Sequence, residues 1–142
     1  MFTNERDKMR QLYADVWHKA RSNQPLDALE QQIAQVIEQH PEYHPILDNR
    51  QHLANEYLPE MGETNPFLHM GMHLGIREQV STDRPAGIAQ VHRVLSLKLG
   101  DAMEAEHQMM DCLAEALWNS QKYQQAPDEA AYLTCLQQLI KD

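Results

Sequence analysis

Two histidines one helical turn apart are the residues of this chain best suited to chemistry. His69 and His73 lie in the stretch NPFLHMGMHLGIREQV, where Asn65 and Pro66 mark a helix start, because Asn caps helices and Pro fits their first position. Side chains at positions i and i+4 share one helix face. Imidazole nitrogens are common ligands of divalent transition metals, so this spacing predicts part of a metal site.

A second histidine-bearing helix supplies the other predicted ligands. His107 lies on the inward stripe of a helix predicted over 101–122, and Asp111 follows one turn later. Helical bundles build metal sites from side chains that project inward from facing helices. We therefore predict a divalent transition metal ion, with zinc or iron as first choice, bound by four ligands: His69, His73, His107 and Asp111.

Two further residues are reserve ligands. His92 lies on the apolar stripe of a helix predicted over 86–99, and Glu104 precedes His107 by three residues. This E-x2-H spacing occurs in carboxylate-bridged di-iron bundles, but the sequence contains no second copy. A single inward histidine more often pairs with a backbone carbonyl or a carboxylate, and we prefer that interpretation for His92.

His40 and His44 have the same spacing as His69 and His73, but we do not predict that they bind metal. Pro41 and Pro45 interrupt the segment HPEYH, so a continuous helix is not expected there. We predict a solvated turn.

The sulfur-bearing side chains are also assigned to structure. Met70 and Met72 alternate with the histidines, yet methionine at helical spacing is more often flexible core filling than a ligand of a soft metal. Cys112 and Cys135 are the only cysteines and lack a CxxC spacing, so they are interpreted as reduced, small apolar residues.

Apolar residues recur at intervals of three and four along most of the chain, and strand-like alternation does not occur. The pattern predicts an all-α fold, an antiparallel helical bundle with additional short helices, and the length suits a single domain over 1–142. The proline-rich segment 40–65 is expected to be irregular, with a short helix near 48–57. The main helices are predicted over 4–20, 26–40, 65–80, 86–99 and 101–122, with a last one beginning near 128.

Charge and composition restrict the partners. The formal net charge is −9 and the basic residues form no run, which argues against nucleic acid and against an anionic membrane surface. No apolar stretch approaches the roughly 20 residues of a spanning helix, and the first residues lack the apolar core of a signal peptide. We expect a cytoplasmic protein, with a protein partner or a homodimer left open.

Two functions of different class remain. The first is a metal-binding helical bundle protein whose biological role is unknown. The alternative is a metal-free acidic helical adaptor or regulatory protein that acts through protein–protein contacts and whose histidines pair within the core. No general base is evident, so the sequence leaves open whether the protein is an enzyme.

Two blocks carry a family resemblance: NPFLHMGMHLGIREQVSTDRPAGI and EAEHQMMDCLAEALW. Over nearly the whole chain the sequence resembles a family of short bacterial proteins known as domain of unknown function 1841. The resemblance implies no activity, cofactor or substrate. That family often has a histidine where this chain has Met103, and the departure argues against a second metal. The ligand spacing is also similar to that of hemerythrin-like and DinB-like metal-binding bundles, a likeness of fold that does not establish function.

Overall fold

The computed structural model describes residues 2–49 and 65–141, and the regular structure within these ranges is helical. The all-α prediction is confirmed. Seven α-helices and one 3₁₀ turn, Pro41–Tyr43, occur in the described ranges. The α-helices are α1 (Phe2–Arg21), α2 (Ala28–Glu38), α3 (His44–Asp48), α4 (Pro66–Thr82), α5 (Ile88–Leu99), α6 (Ala102–Lys122) and α7 (Glu129–Gln138).

Short polar side chains fix where several helices begin. Asp27 forms a capping box with Glu30 at the start of α2, and the Asp101 and Asp128 carboxylates accept backbone N–H groups at the starts of α6 and α7. Gly100 ends α5 in the left-handed conformation, with φ of 71°. These boundaries agree with the predicted ones because the caps are readable in the sequence.

Packing divides the chain into two compact units, Met1–Leu74 and Gly75–Asp142. In the first unit, α1 packs against α2 and α3. The pairing of the first two helices follows from the apolar stripe that each presents. Its buried core consists of Tyr13, Ala14, Val16, Ile33, Val36, Ile37, Leu47, Phe67 and Met70.

In the second unit, α5 packs on α6, and α7 contacts both. Its fully buried side chains include Ile88, Leu95 and Met109. The prediction of one domain over 1–142 concerns independent folding and stays a prediction.

The segment after α2 is more regular than the sequence analysis expected. Pro41–Tyr43 forms a 3₁₀ turn, and α3 follows it directly, so the expectation of irregular structure is wrong for this part. Each proline lies in the first turn of its helix, where no backbone donor is needed. The short helix expected near 48–57 falls almost wholly outside the described residues.

The cysteine interpretation is also wrong. Cys112 of α6 and Cys135 of α7 form a disulfide, with Cα atoms 5.8 Å apart and a sequence separation of 23. The packing of α7 on α6 brings the two side chains together. The sequence has no CxxC spacing that would indicate this pairing.

Among the described residues, no helix combines the length and the apolar character needed to cross a bilayer, as predicted. The expectations about nucleic acid, a protein partner and the cytoplasm stay predictions.

Candidate metal centre

The first half of α4 presents two histidines on one side of the helix. The Asn65 carboxamide accepts the backbone N–H groups of Phe67 and Leu68, so the helix starts where the sequence predicts and its register is fixed. His73 is 0% exposed and His69 is half-buried. Burial of an imidazole requires a polar partner, and here each ring has the other as one of its neighbours.

The two imidazoles approach each other through their Nε2 atoms. The Nε2 atoms of His69 and His73 are 3.2 Å apart. Two nitrogens bound to one ion at about 2.0 to 2.1 Å would lie about 2.9 Å apart at a right angle and about 3.4 Å apart at a tetrahedral angle. The observed separation falls within this interval, so the pair is spaced as two ligands of one ion would be.

His40 completes the arrangement, and the sequence analysis did not select it. It follows the end of α2 and is 4% exposed. Its Nδ1–H donates to the Val36 carbonyl at 2.7 Å. Because the proton is then on Nδ1, Nε2 carries the lone pair when the ring is neutral, the arrangement that metal-binding histidines commonly obtain from a backbone carbonyl.

The three rings form a compact triangle. Ring centroids are 5.0 Å apart for His40 and His69, 4.8 Å for His40 and His73, and 4.8 Å for His69 and His73. One nitrogen from each lies within 4.8 Å of those of the other two. This grouping makes the three nitrogens candidate ligands of one ion.

The prediction of a solvated turn at HPEYH is accordingly wrong for both histidines. His40 is buried, and His44 is half-buried with its ring 4.2 Å from that of Trp17. His44 also donates from Nε2 to the Ile37 carbonyl at 2.9 Å. The physical reason is the end of α2: carbonyls in a last helical turn lack some intrahelical donors, and the two imidazoles supply N–H groups to them.

A signal for His40 was present in the sequence. It stands directly after the apolar periodic stretch of α2, where basic side chains commonly bind the last carbonyls of a helix. The spacing of His40 and His44 alone does not reveal this role, because Pro41 and Pro45 interrupt a continuous helix in this segment. The partner of His40 is instead the distant pair on α4.

An aromatic ring covers one side of the cluster. Tyr43 stacks on His40, with centroids 5.5 Å apart, and meets His69 edge-on at 6.1 Å. Burial raises the pKa of the Tyr43 phenol, and the Glu42 carboxylate raises it further. The phenol is therefore neutral at physiological pH and leaves the charge state of the site to the imidazoles.

The surroundings on the core side are apolar. Met70, one turn before His73, is fully buried and belongs to the core of the first unit together with Val36 and Ile37. This agrees with the interpretation of Met70 as core filling. An ion held by the histidines would lie in surroundings of low polarity, where its attraction to ligand dipoles is stronger than in water.

The remaining predicted ligands lie in the second unit. His107 is half-buried on α6, and its Nδ1 is 3.5 Å from the Glu104 carboxylate, so these two residues are close. Asp111 is exposed on the same helix. His92 on α5 has a buried Nε2 with no hydrogen-bond partner. As metal ligands, all four stay predictions.

Comparison with known proteins gives a family and no activity. A family model described as Domain of unknown function (DUF1841) matches residues 5–138. No curated protein and no solved structure shows significant similarity to the chain. The resemblance seen in the sequence is thus confirmed, and the functional argument depends on the side chains themselves.

Proposed function

Because the chain belongs to the DUF1841 family, whose function is unknown, we propose a function from the histidine cluster: the protein binds one divalent transition metal ion through His40, His69 and His73. One observation carries the proposal. The Nε2 atoms of His69 and His73 are 3.2 Å apart with the buried ring of His40 beside them, a separation that suits two nitrogens on one ion.

The donor set favours a divalent transition metal, with zinc or iron as our first choice. Three neutral imidazoles suit zinc, iron, copper and nickel, whereas calcium and magnesium prefer oxygen ligands. The cluster as described offers no thiolate, which removes the main preference for copper(I). Three protein ligands also leave at least one coordination position on a tetrahedral ion.

We propose His107 as the residue that fills this fourth position, on the basis of its place on the inward stripe of α6. Asp111 is the next candidate, followed by His92 and Glu104. With four protein ligands the ion would be structural. With three, the open position would hold a water molecule that the ion can acidify, or bind oxygen if the ion is iron.

A metal-free interpretation makes a different prediction about the same contact. In it, the proton on one Nε2 is donated to the lone pair of the other, and the 3.2 Å separation of His69 and His73 is an ordinary hydrogen bond. The histidines would then stabilise the core of an acidic adaptor. The two interpretations differ in whether a cation competes with that proton, so metal titration separates them.

The test is a titration of purified protein with cobalt(II) and then zinc. We expect one equivalent of cobalt to give a visible d–d spectrum that zinc abolishes, since both ions accept the same nitrogen ligands. The double variant His69→Ala/His73→Ala should give no spectrum. His18→Ala is the matched control, because His18 is exposed on α1 and lies outside the cluster, and it should bind as the wild type does.

The same titration examines the fourth ligand. If His107 binds the ion, His107→Ala should lower affinity and replace an intense tetrahedral cobalt spectrum with a different one when water enters. An unchanged spectrum in His107→Ala would remove His107 from the ligand set while leaving the three-histidine proposal intact. A wild-type protein that gives no cobalt spectrum and no zinc binding would contradict the proposal.

A further inference from the structure

A separate feature of the second unit is a disulfide whose two halves differ in accessibility. Cys112 is 2% exposed, whereas Cys135 is half-buried. An external thiol that attacks this bond reaches the Cys135 sulfur more easily, and the leaving group is then the Cys112 sulfur.

Acidic groups lie around the accessible sulfur. A cavity of ≈ 70 Å³ is bordered by both cysteines and by the carboxylate-bearing residues Glu115 and Asp128, and among the residues that the structure describes no basic one borders it. The Glu115 carboxylate oxygen is 4.0 Å from the Cys135 sulfur. A disulfide sulfur carries no proton, so this approach is not a hydrogen bond, and it places a negative charge beside the sulfur that an external thiolate would attack.

We propose that the Cys112–Cys135 disulfide is a thiol-exchange site, opened at Cys135 by neutral or cationic thiols and protected from anionic ones by Glu115 and Asp128. In the first step a thiolate RS⁻ bonds to the Cys135 sulfur, the bond between the two cysteines breaks, and Cys112 leaves as the thiolate. A second RS⁻ then attacks the mixed disulfide, which releases RSSR and the Cys135 thiolate. The protein gains two electrons, and two thiols are oxidised to one disulfide.

Opening the bond removes the disulfide cross-link between α6 and α7, while the connecting backbone and other contacts remain. The Tyr132 hydroxyl still donates to the Gln79 carboxamide at 2.7 Å, and Leu136 is fully buried. In the reduced protein, α7 therefore stays packed in place but unfolds locally more often. The expected consequence is faster amide exchange in α7 with little change in α5.

The test measures reduction rates with three small thiols: cysteamine, 2-mercaptoethanol and 3-mercaptopropionate. Each rate is compared with reduction of hydroxyethyl disulfide by the same thiol, which removes differences in intrinsic nucleophilicity. Removing the Glu115 carboxylate, about 4 Å from the Cys135 sulfur, should accelerate reduction by 3-mercaptopropionate roughly three- to tenfold at low salt. The rate of reduction by cysteamine should stay nearly unchanged. The variant is Glu115→Gln. Glu38→Gln in the first unit is the matched control for net charge and should have no effect.

The site of attack is tested by trapping. Brief exposure to 2-mercaptoethanol, an acid quench and alkylation should place the mixed disulfide on Cys135 and the alkyl group on Cys112. Adducts divided equally between the two cysteines would overturn the proposed direction of attack. Equal normalised rates for all three thiols would overturn the selectivity against anionic thiols, and free thiols in protein purified without reductant would overturn the exchange site itself.

Discussion

Each unit holds one group of buried polar side chains whose members interact closely, and the two groups differ in charge character. In the second unit, the Arg77 guanidinium meets the Glu106 carboxylate, with Nε 2.9 Å from one oxygen and a second nitrogen 3.1 Å from the other. The positive and negative partners neutralise each other in place. In the first unit, His40, His69 and His73 lie together, and all three are bases with ring nitrogens less than 5 Å apart.

The difference shows which cluster points to a ligand. A buried ion pair of opposite sign is complete as a structural element, since each partner supplies what the other lacks. The three imidazoles all prefer a cation or a proton as partner, so their arrangement is best explained by a cation that binds all of them. Burial of a polar side chain is therefore a weak signal of function until the character of its neighbours is known.

The largest effect is expected from a substitution that breaks the ion pair between Arg77 and Glu106. Glu106→Ala leaves Arg77 without its main counter-charge; the two side chains are 8% and 22% exposed. We expect a loss of about 3 kcal/mol in the free energy of unfolding, measured by urea denaturation. Glu78→Ala, an exposed acidic residue on α4, is the control and should change stability by less than about 0.5 kcal/mol. A loss as small as the control's would show that the pair is not a structural element.

A similar effect is expected from the covalent link in the same unit. Cys135→Ser opens a loop of 23 residues, and loop-closure entropy predicts a loss of about 3 kcal/mol. Urea denaturation of wild type with and without reductant should reproduce the difference. If the variant and the reduced wild type both match the oxidised protein, the disulfide contributes no stability.

The first unit should be stabilised by metal. Zinc at about 100 times its dissociation constant is expected to stabilise the wild type by about 2.7 kcal/mol, because it binds only the folded chain. His40→Ala should lose most of this gain, whereas His18→Ala should keep it. Equal stabilisation of all three proteins would place zinc at a site other than the cluster. The measurement is thermal unfolding at several zinc concentrations.

The smallest effect concerns alkaline pH. Burial raises the pKa of Tyr132 to about 12, above its value near 10 in the unfolded chain. The neutral phenol is favoured by folding, so this contribution is complete below pH 10 and is lost as pH rises toward 12. We expect a fall of about 2 kcal/mol across that window, reduced in Tyr132→Phe. A variant with the same alkaline fall as the wild type would assign it to other groups, such as the buried Tyr13.

The sequence predicted what depends on local pattern. Asn65 and Pro66 located the start of α4, and helical spacing placed His69 and His73 on one side of it. His40 could not be found by spacing, because its partners are about thirty residues away and its own position is fixed by the Val36 carbonyl. The disulfide escaped prediction for the same reason, since only the packing of α7 on α6 brings the cysteines together.

The most direct test of the central claim is elemental analysis by plasma mass spectrometry. Untagged wild-type protein, purified without chelator, would be measured beside the His69→Ala/His73→Ala double variant. We expect close to one zinc or iron per wild-type chain and none in the variant. Wild-type protein without metal, whose melting temperature also fails to rise when zinc, iron or copper is added, would contradict it.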